Sequence, residues 1–203
     1  LEKLKEKCSI HTSLGDGKYR VDLKPVRIQG IGEAEELFGA EESANEMIAV
    51  YLFDETEILR CRQEINDQKM VAGLIYLDNY DEALESVEEV RRSLLTALID
   101  RKINKYISGM NGIAKKLEKD KYFFAIKQRY VQELRDNRFS LLEEVKTVNI
   151  GNEMAVTLSI GLGMGGETYG QNYEFSRMAI DMALGRGGDQ AVVKDRMNFQ
   201  FYG

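Results

Sequence analysis

The chain has one proline, one histidine and two cysteines in 203 residues, and each scarcity closes off a class of function. Cys8 and Cys61 stand 53 positions apart and form no Cys-x-x-Cys pair, so neither a metal knuckle nor a dithiol redox motif is indicated. Reduced thiols are the ordinary reading. No apolar run approaches the roughly 18 residues that a membrane span needs, and no signal peptide stands at the start. There is no basic excess either. The 28 Lys and Arg are outnumbered by 34 Asp and Glu, for a net charge of −6, which argues against general nucleic-acid binding. The first residues, Leu1-Glu2-Lys3-Leu4, read as the end of a charged helix cut midway, and Phe201-Tyr202-Gly203 shows no closing element. The chain therefore reads as a fragment.

What is present is ordinary globular material: 43% apolar and 31% charged residues, enough for one large domain or two small ones. Residues 19–26 (YRVDLKPV) alternate as a half-buried strand, with Pro25 expected at its edge or end. Residues 29–46 are rich in Gly and Glu and read as a solvated loop. Residues 47–53 (MIAVYLF) read as a buried strand, so 19–53 form a hairpin with a long connection. Asp54 or Thr56 can then cap a helix that stops near Asn66-Asp67 and joins two domains.

The second half reads as strands alternating with helices, which argues for an α/β sandwich with a mixed sheet flanked by helices. Residues 71–77 (VAGLIYL) suit a central strand covered on both faces. Helical patterns follow at 81–90 and 91–107, the second with Leu94, Leu95, Leu98, Ile99 and Ile103 as its apolar stripe. Strand-like 113–117 and 122–126 flank a polar tip, Glu118-Lys119-Asp120-Lys121. One helix is expected over 131–146, a strand over 155–162, a helix over 171–184 and a last strand over 190–194.

Three pieces in fixed order carry a resemblance. They are Ser159-Ile160-Gly161, then Ala179-Ile180-Asp181-Met182-Ala183-Leu184, then Gly187-Gly188-Asp189-Gln190-Ala191-Val192-Val193. Together they resemble the GGDEF family of nucleotidyl cyclases. Where that family has Gly-Gly-Asp-Glu-Phe, this chain has Glu118-Lys119-Asp120-Lys121-Tyr122. Both glycines, which let backbone approach a nucleotide where a Cβ would intrude, are gone. One acid survives, Asp120, and Lys121 reverses the charge of the other. At the end of the first strand, Tyr76 replaces the usual metal-binding acid, Asp78 matches the second, and Asp81 replaces the usual Lys. The family's inhibitory Arg-x-x-Asp site, due near 109–112, is absent. The resemblance thus argues against diguanylate cyclase activity.

The run Asp78 to Glu82, the hairpin with its lone Asp120 and the ending Arg196-Met197-Asn198-Phe199-Gln200-Phe201-Tyr202-Gly203 resemble more closely the cyclic-di-AMP phosphodiesterases of the GdpP type. That resemblance implies a membrane-anchored parent whose cytoplasmic portion carries a PAS domain, a degenerate GGDEF domain and a DHH/DHHA1 phosphoesterase. It divides the chain into the back of a PAS-like domain (1–57), a connecting helix (58–68), the degenerate GGDEF domain (69–196) and the start of a linker (197–203). It implies a homodimer and no membrane contact by this fragment. With His11 alone and no DHH run, the manganese-dependent phosphoesterase site is not in this chain, and haem is not expected here.

The same resemblance implies weak ATP hydrolysis by the degenerate domain. Asp78 and Asp120 could hold one Mg²⁺ and, with Lys121, the phosphates of ATP or another nucleotide, and Asp120 would be the catalytic acid of an ATPase. Against this stands the plain reading of two polar residues at a strand end and a turn. The Gly-rich stretch 161–166 could approach a ligand closely, or be a loop; Tyr76 and Tyr80 read as packing groups, and 81–89 as a solvated helix face. The expected function is regulatory nucleotide binding. An ATPase in its own right and a structural dimerisation module are the alternatives.

Overall fold

Alternation over 19–26 does give a strand, and that strand is the middle of three. The computed structural model describes residues 8–27 and 46–203. The helix end expected over 1–7 and nearly all of the expected loop lie outside those residues; only Glu46 of that loop is described, and it opens a strand. The chain divides into two units, Leu1–Ile65 and Asn66–Gly203.

In the first unit β1 (Cys8–Leu14), β2 (Gly17–Arg27) and β3 (Glu46–Asp54) form an antiparallel sheet in that order. β1 was not legible in the sequence, because polar Ser9, His11, Thr12 and Ser13 dominate it. It turns into β2 through Gly15, whose φ of 57° suits glycine. Pro25 lies within β2, opposite Ile48 of β3. The expectation that β3 is buried fails: Val50 and Leu52 are 63% and 64% exposed. The register puts both on one face with Ile10 and Val21, and that face is open among the described residues. Asp54 caps the helix that follows, α1 (Thr56–Gln68), by accepting the Thr56 N–H at 2.9 Å.

The second unit is built on six strands in the order β5-β6-β4-β7-β8-β9. Their ranges are β4 (Met70–Leu77), β5 (Ile113–Lys116), β6 (Lys121–Lys127), β7 (Leu158–Gly163), β8 (Ala191–Lys194) and β9 (Phe199–Tyr202). Only β7 and β8 run parallel; every other pairing is antiparallel. The helices are α2 (Tyr80–Glu85), α3 (Glu89–Gly109), α4 (Val131–Asp136), α5 (Leu141–Lys146) and α6 (Tyr169–Gly185).

Strand alternation sorts the side chains into two layers. Val71, Ile75, Tyr122, Phe124, Ile126, Ile160 and Leu162 point to one face and meet α2 to α5 in the main core. Ser159, Gly161 and Gly163 point to the other face, under α6. A Cβ on Gly163 would lie 1.9 Å from the Asn172 carbonyl oxygen, and one on Gly161 2.5 Å from the Ile180 nitrogen. Gly161 and Gly163 thus serve the approach of α6, and of the stretch 161–166 only 164–166 form a loop.

Three sequence expectations are corrected here. Leu94 is 51% exposed, and the α3 stripe runs through Leu95, Ile99, Ile103 and Ile107 instead. The single helix over 131–146 is two, because Arg138 and Phe139 take positive φ of 52° and 56°. That break swings Phe139 into the core, 1% exposed, with its ring centroid 5.3 Å from that of Tyr202. Residues 197–203 do not begin a linker: 199–202 form β9, which pairs antiparallel with β8 and extends the sheet.

Candidate functional site

The site is the carboxyl end of β4 together with the tip of the β5–β6 hairpin. The two are joined by backbone: the Leu77 N–H donates to the Asp120 carbonyl at 2.9 Å. The tip is tight, with the Leu117 and Glu118 N–H groups both donating to the Lys121 carbonyl, at 2.8 and 3.2 Å. No residue of 118–121 has a positive φ, so this turn closes without the glycines that the family signature carries.

Its charges are largely spent on each other. Lys119 Nζ reaches both Asp81 carboxylate oxygens at 2.7 Å. Lys121 Nζ donates to Glu118 Oε2 at 2.8 Å and lies 5.4 Å from the Tyr76 ring centre. Each lysine is held above its usual range, first by the hydrogen bond to its acid partner. Among the described residues, no side chain hydrogen-bonds or ion-pairs with the Asp120 carboxylate.

Asp78 has a different setting. Its Oδ1 accepts from the Ser159 hydroxyl at 2.7 Å, and its Oδ2 from the Asp189 N–H at 2.9 Å. Ser159 is fully buried. The carboxylate rests on the Gly187-Gly188 turn; a Cβ at Gly188, where φ is +77°, would come within 2.9 Å of it. Next to it, Asn79 donates to the Ala155 carbonyl at 2.8 Å and accepts the Thr157 N–H at 3.0 Å. Asp78 therefore ties the end of β4 to β7 and to the turn before β8. In sheet order Asp120 belongs to the β6 flank of β4 and the partners of Asp78 to the β7 flank.

Where the signature aromatic belongs, Tyr122 is buried, and its hydroxyl donates to Asp100, which Lys116 also reaches at 3.0 Å. Burial, and then the Asp100 carboxylate, push this phenol far above the ordinary tyrosine range. Tyr76 is half-buried, and burial raises its phenol also, against the opposing charge of Lys121. Tyr80 is buried with its hydroxyl 3.1 Å from that of Thr96. In the first unit His11 is largely exposed, with Nε2 3.7 Å from Glu55. Sequence reasoning missed Ser159 and the Asp189 amide as the partners of Asp78. The signal was there in Ser159-Ile160-Gly161, read for fold and not for chemistry.

A sheet with this strand order, flanked by helices and carrying a hairpin beside the end of its central strand, is the GGDEF cyclase-domain fold with its signature hairpin altered. The chain is similar to a diguanylate cyclase/phosphodiesterase structure from Caldicellulosiruptor saccharolyticus (TM-score 0.54, 16% identity, covering 71% of this chain and 87% of that one). It is also similar to the GGDEF domain of DgcB from Caulobacter crescentus in complex with c-di-GMP (TM-score 0.53, 13% identity, 68% and 84%). At those identities the likeness is one of fold alone. A family model described as cyclic-di-AMP phosphodiesterase GdpP-like, GGDEF domain, matches residues 75–201, and the chain belongs to that family. Among curated proteins it is 29% identical over 155 residues to the cyclic-di-AMP phosphodiesterase GdpP of Geobacillus thermodenitrificans and to PdeA of Listeria monocytogenes. Each alignment covers 76% of this chain and 24% of the relative, so the chain spans about a quarter of their length.

Proposed function

We propose that this chain is the regulatory portion of a cyclic-di-AMP phosphodiesterase, in which a degenerate GGDEF unit binds a nucleotide and does not condense two of them. The observation that carries the reading is the ionic state of the hairpin tip. Both of its lysines are paired inside the unit, and Asp120 alone offers a carboxylate without a partner among the described residues. One carboxylate fits a Mg²⁺ that arrives with a triphosphate, since that ion takes one or two protein acids and fills its shell with phosphate and water. It does not fit an all-protein cage, and no group of three or more metal-binding side chains exists among the described residues.

In this reading Asp120 holds the ion, which neutralises phosphate charge, and Lys121 leaves Glu118 to face a phosphate as a point charge. Asp78 keeps the strand end in place; as a metal ligand it would have to use the lone pairs left free by Ser159 and Asp189. Occupancy of the site would then bias an attached phosphoesterase domain in a membrane-anchored parent. The first unit supplies a PAS-like segment to that assembly. Among the described residues no helix is long and apolar enough to cross a membrane, so anchoring would rest on other parts of the parent. The unpartnered Asp120 also favours a second reading, a slow Mg²⁺-dependent ATPase in which that carboxylate orients the attacking water.

Titration with ATP and GTP in the presence of Mg²⁺, following both binding and phosphate release, separates these. Binding without turnover, weakened in Asp120→Ala, supports regulation. Turnover abolished by Asp120→Ala supports the enzyme. No binding by either nucleotide refutes both and leaves a dimerisation module.

A further inference from the structure

At the far edge of the sheet from the hairpin, a cleft of about 330 Å³ is lined by Arg135, Arg138, Phe201, Tyr202 and Gly203. Arg20, Arg91, Arg177 and Arg196 are each ion-paired with a carboxylate. Arg135 and Arg138 form no ion pair among the described residues. The Nε of Arg135 is buried with no hydrogen-bond partner, and its Nη2 meets only the Met164 sulfur, at 3.5 Å. A thioether is a weak acceptor. The acid whose charge reaches Arg135 is Asp195, but its Oδ1 already accepts the Met197 and Asn198 N–H groups, at 2.8 and 2.7 Å.

An unmet, buried guanidinium donor is costly, and a native chain keeps few of them. A second guanidinium stands at the same cleft because the left-handed turn at Arg138 and Phe139 sends Phe139 to the core and leaves Arg138 outside. Tyr202, braced by Phe139, forms the wall. Phe201 and Tyr202 also line a smaller cleft of about 270 Å³, with Arg186 stacked 4.4 Å from the Phe201 ring centre. The guanidinium fork matches the oxygens of a phosphate two at a time. We propose that the Arg135–Arg138 cleft is an oxyanion site that takes the phosphate group of a small phosphorylated ligand, separate from the hairpin tip.

The probes are inorganic pyrophosphate and ATP, titrated without Mg²⁺ into the labelled chain while amide shifts are followed. Saturable shifts are expected at 135–139 and 199–203. Affinity should fall about tenfold or more in Arg135→Gln/Arg138→Gln, as loss of charged hydrogen bonds implies. ATP binding tighter than pyrophosphate supports the site and assigns it to a nucleotide; equal binding supports it with phosphate alone recognised. Because Arg135 is partly buried, Arg138→Gln alone, on the exposed residue, must also weaken binding severalfold. Absence of saturable shifts, shifts confined to the hairpin tip, or undiminished affinity in Arg138→Gln would overturn the proposal.

Discussion

Replacing Asp78 with alanine measures whether this acid belongs to the fold or to a ligand. Its carboxylate accepts two hydrogen bonds, one from the fully buried Ser159 hydroxyl and one from the Asp189 amide. A net hydrogen bond to a charged group contributes about 1.5–3 kcal/mol, and the donors left behind lose their acceptor. Asp78 is only half-buried, so water can replace part of this, and the expected loss is about 2–4 kcal/mol. A unit the size of Asn66–Gly203 moves by about 3–4 °C per kcal/mol, so its melting temperature should drop by about 6–16 °C. Urea unfolding followed by far-UV dichroism gives the same quantity as a shift in midpoint at constant slope. Ser159→Ala should cost less, about 0.5–1.5 kcal/mol, because Asp78 keeps the amide and gains water. The double variant should fall short of the sum by at least about 0.5 kcal/mol, since the two residues share one bond. A loss under about 0.5 kcal/mol for Asp78→Ala, or strict additivity with Ser159→Ala, would refute the structural role.

Other positions give sharp expectations. Gly163→Ala should cost about 3 kcal/mol or more, because its Cβ meets backbone of α6 that cannot step aside, whereas Gly170→Ala, with nothing nearer than 3.8 Å, should raise stability by up to about 1 kcal/mol; a pair of urea curves decides both. Phe139→Ala should lose about 3–5 kcal/mol by emptying a core site, read from the same assay. Tyr122 keeps its proton in the folded state where the unfolded chain gives it up, so it contributes stability below about pH 10 that is lost as pH rises, at about 1.4 kcal/mol per pH unit. Tyr122→Phe should flatten that alkaline fall, and tyrosinate absorbance should show one phenol fewer resisting ionisation.

Much of the second unit was legible because its signals were periodic. The near-continuous run of β4, the alternation of β6 and the order of Ser159-Ile160-Gly161, α6 and the Gly187-Gly188 turn each state their surroundings in side-chain chemistry. The misses share a cause, which is that a neighbour decided the conformation. Asn137 and Ser140-Leu141-Leu142-Glu143 are weak local signals of a helix stop and restart that the apolar spacing over 131–146 masks; what is gained there is the burial of Phe139 against Tyr202 and the core. Likewise β1 and β9 are short strands of modest apolarity that exist by pairing with β2 and β8. At the site, Asp120 was visible as the surviving acid. The engagement of Asp78 was not, because its partners lie 81 and 111 residues away in the chain.

The altered signature is therefore better described as an exchange than as a loss. Where the family has a Lys after the first strand and a Gly in the hairpin, this chain has Asp81 and Lys119, and the two meet at 2.7 Å. Where it has a second acid in the tip, this chain has Lys121, paired with Glu118 at the first glycine's place. Exposed pairs of this kind are worth less than about 1 kcal/mol each, so they do not hold the unit together. Their effect is on charge: two cations and two anions cancel over four side chains, and the strand end is left with Asp120 outside any pair. A surface so neutralised repels a triphosphate less than the acid cluster it replaces, yet supplies fewer ligands for the paired metals that condensation needs. On the proposed nucleotide-binding reading, binding without condensation is what that balance favours.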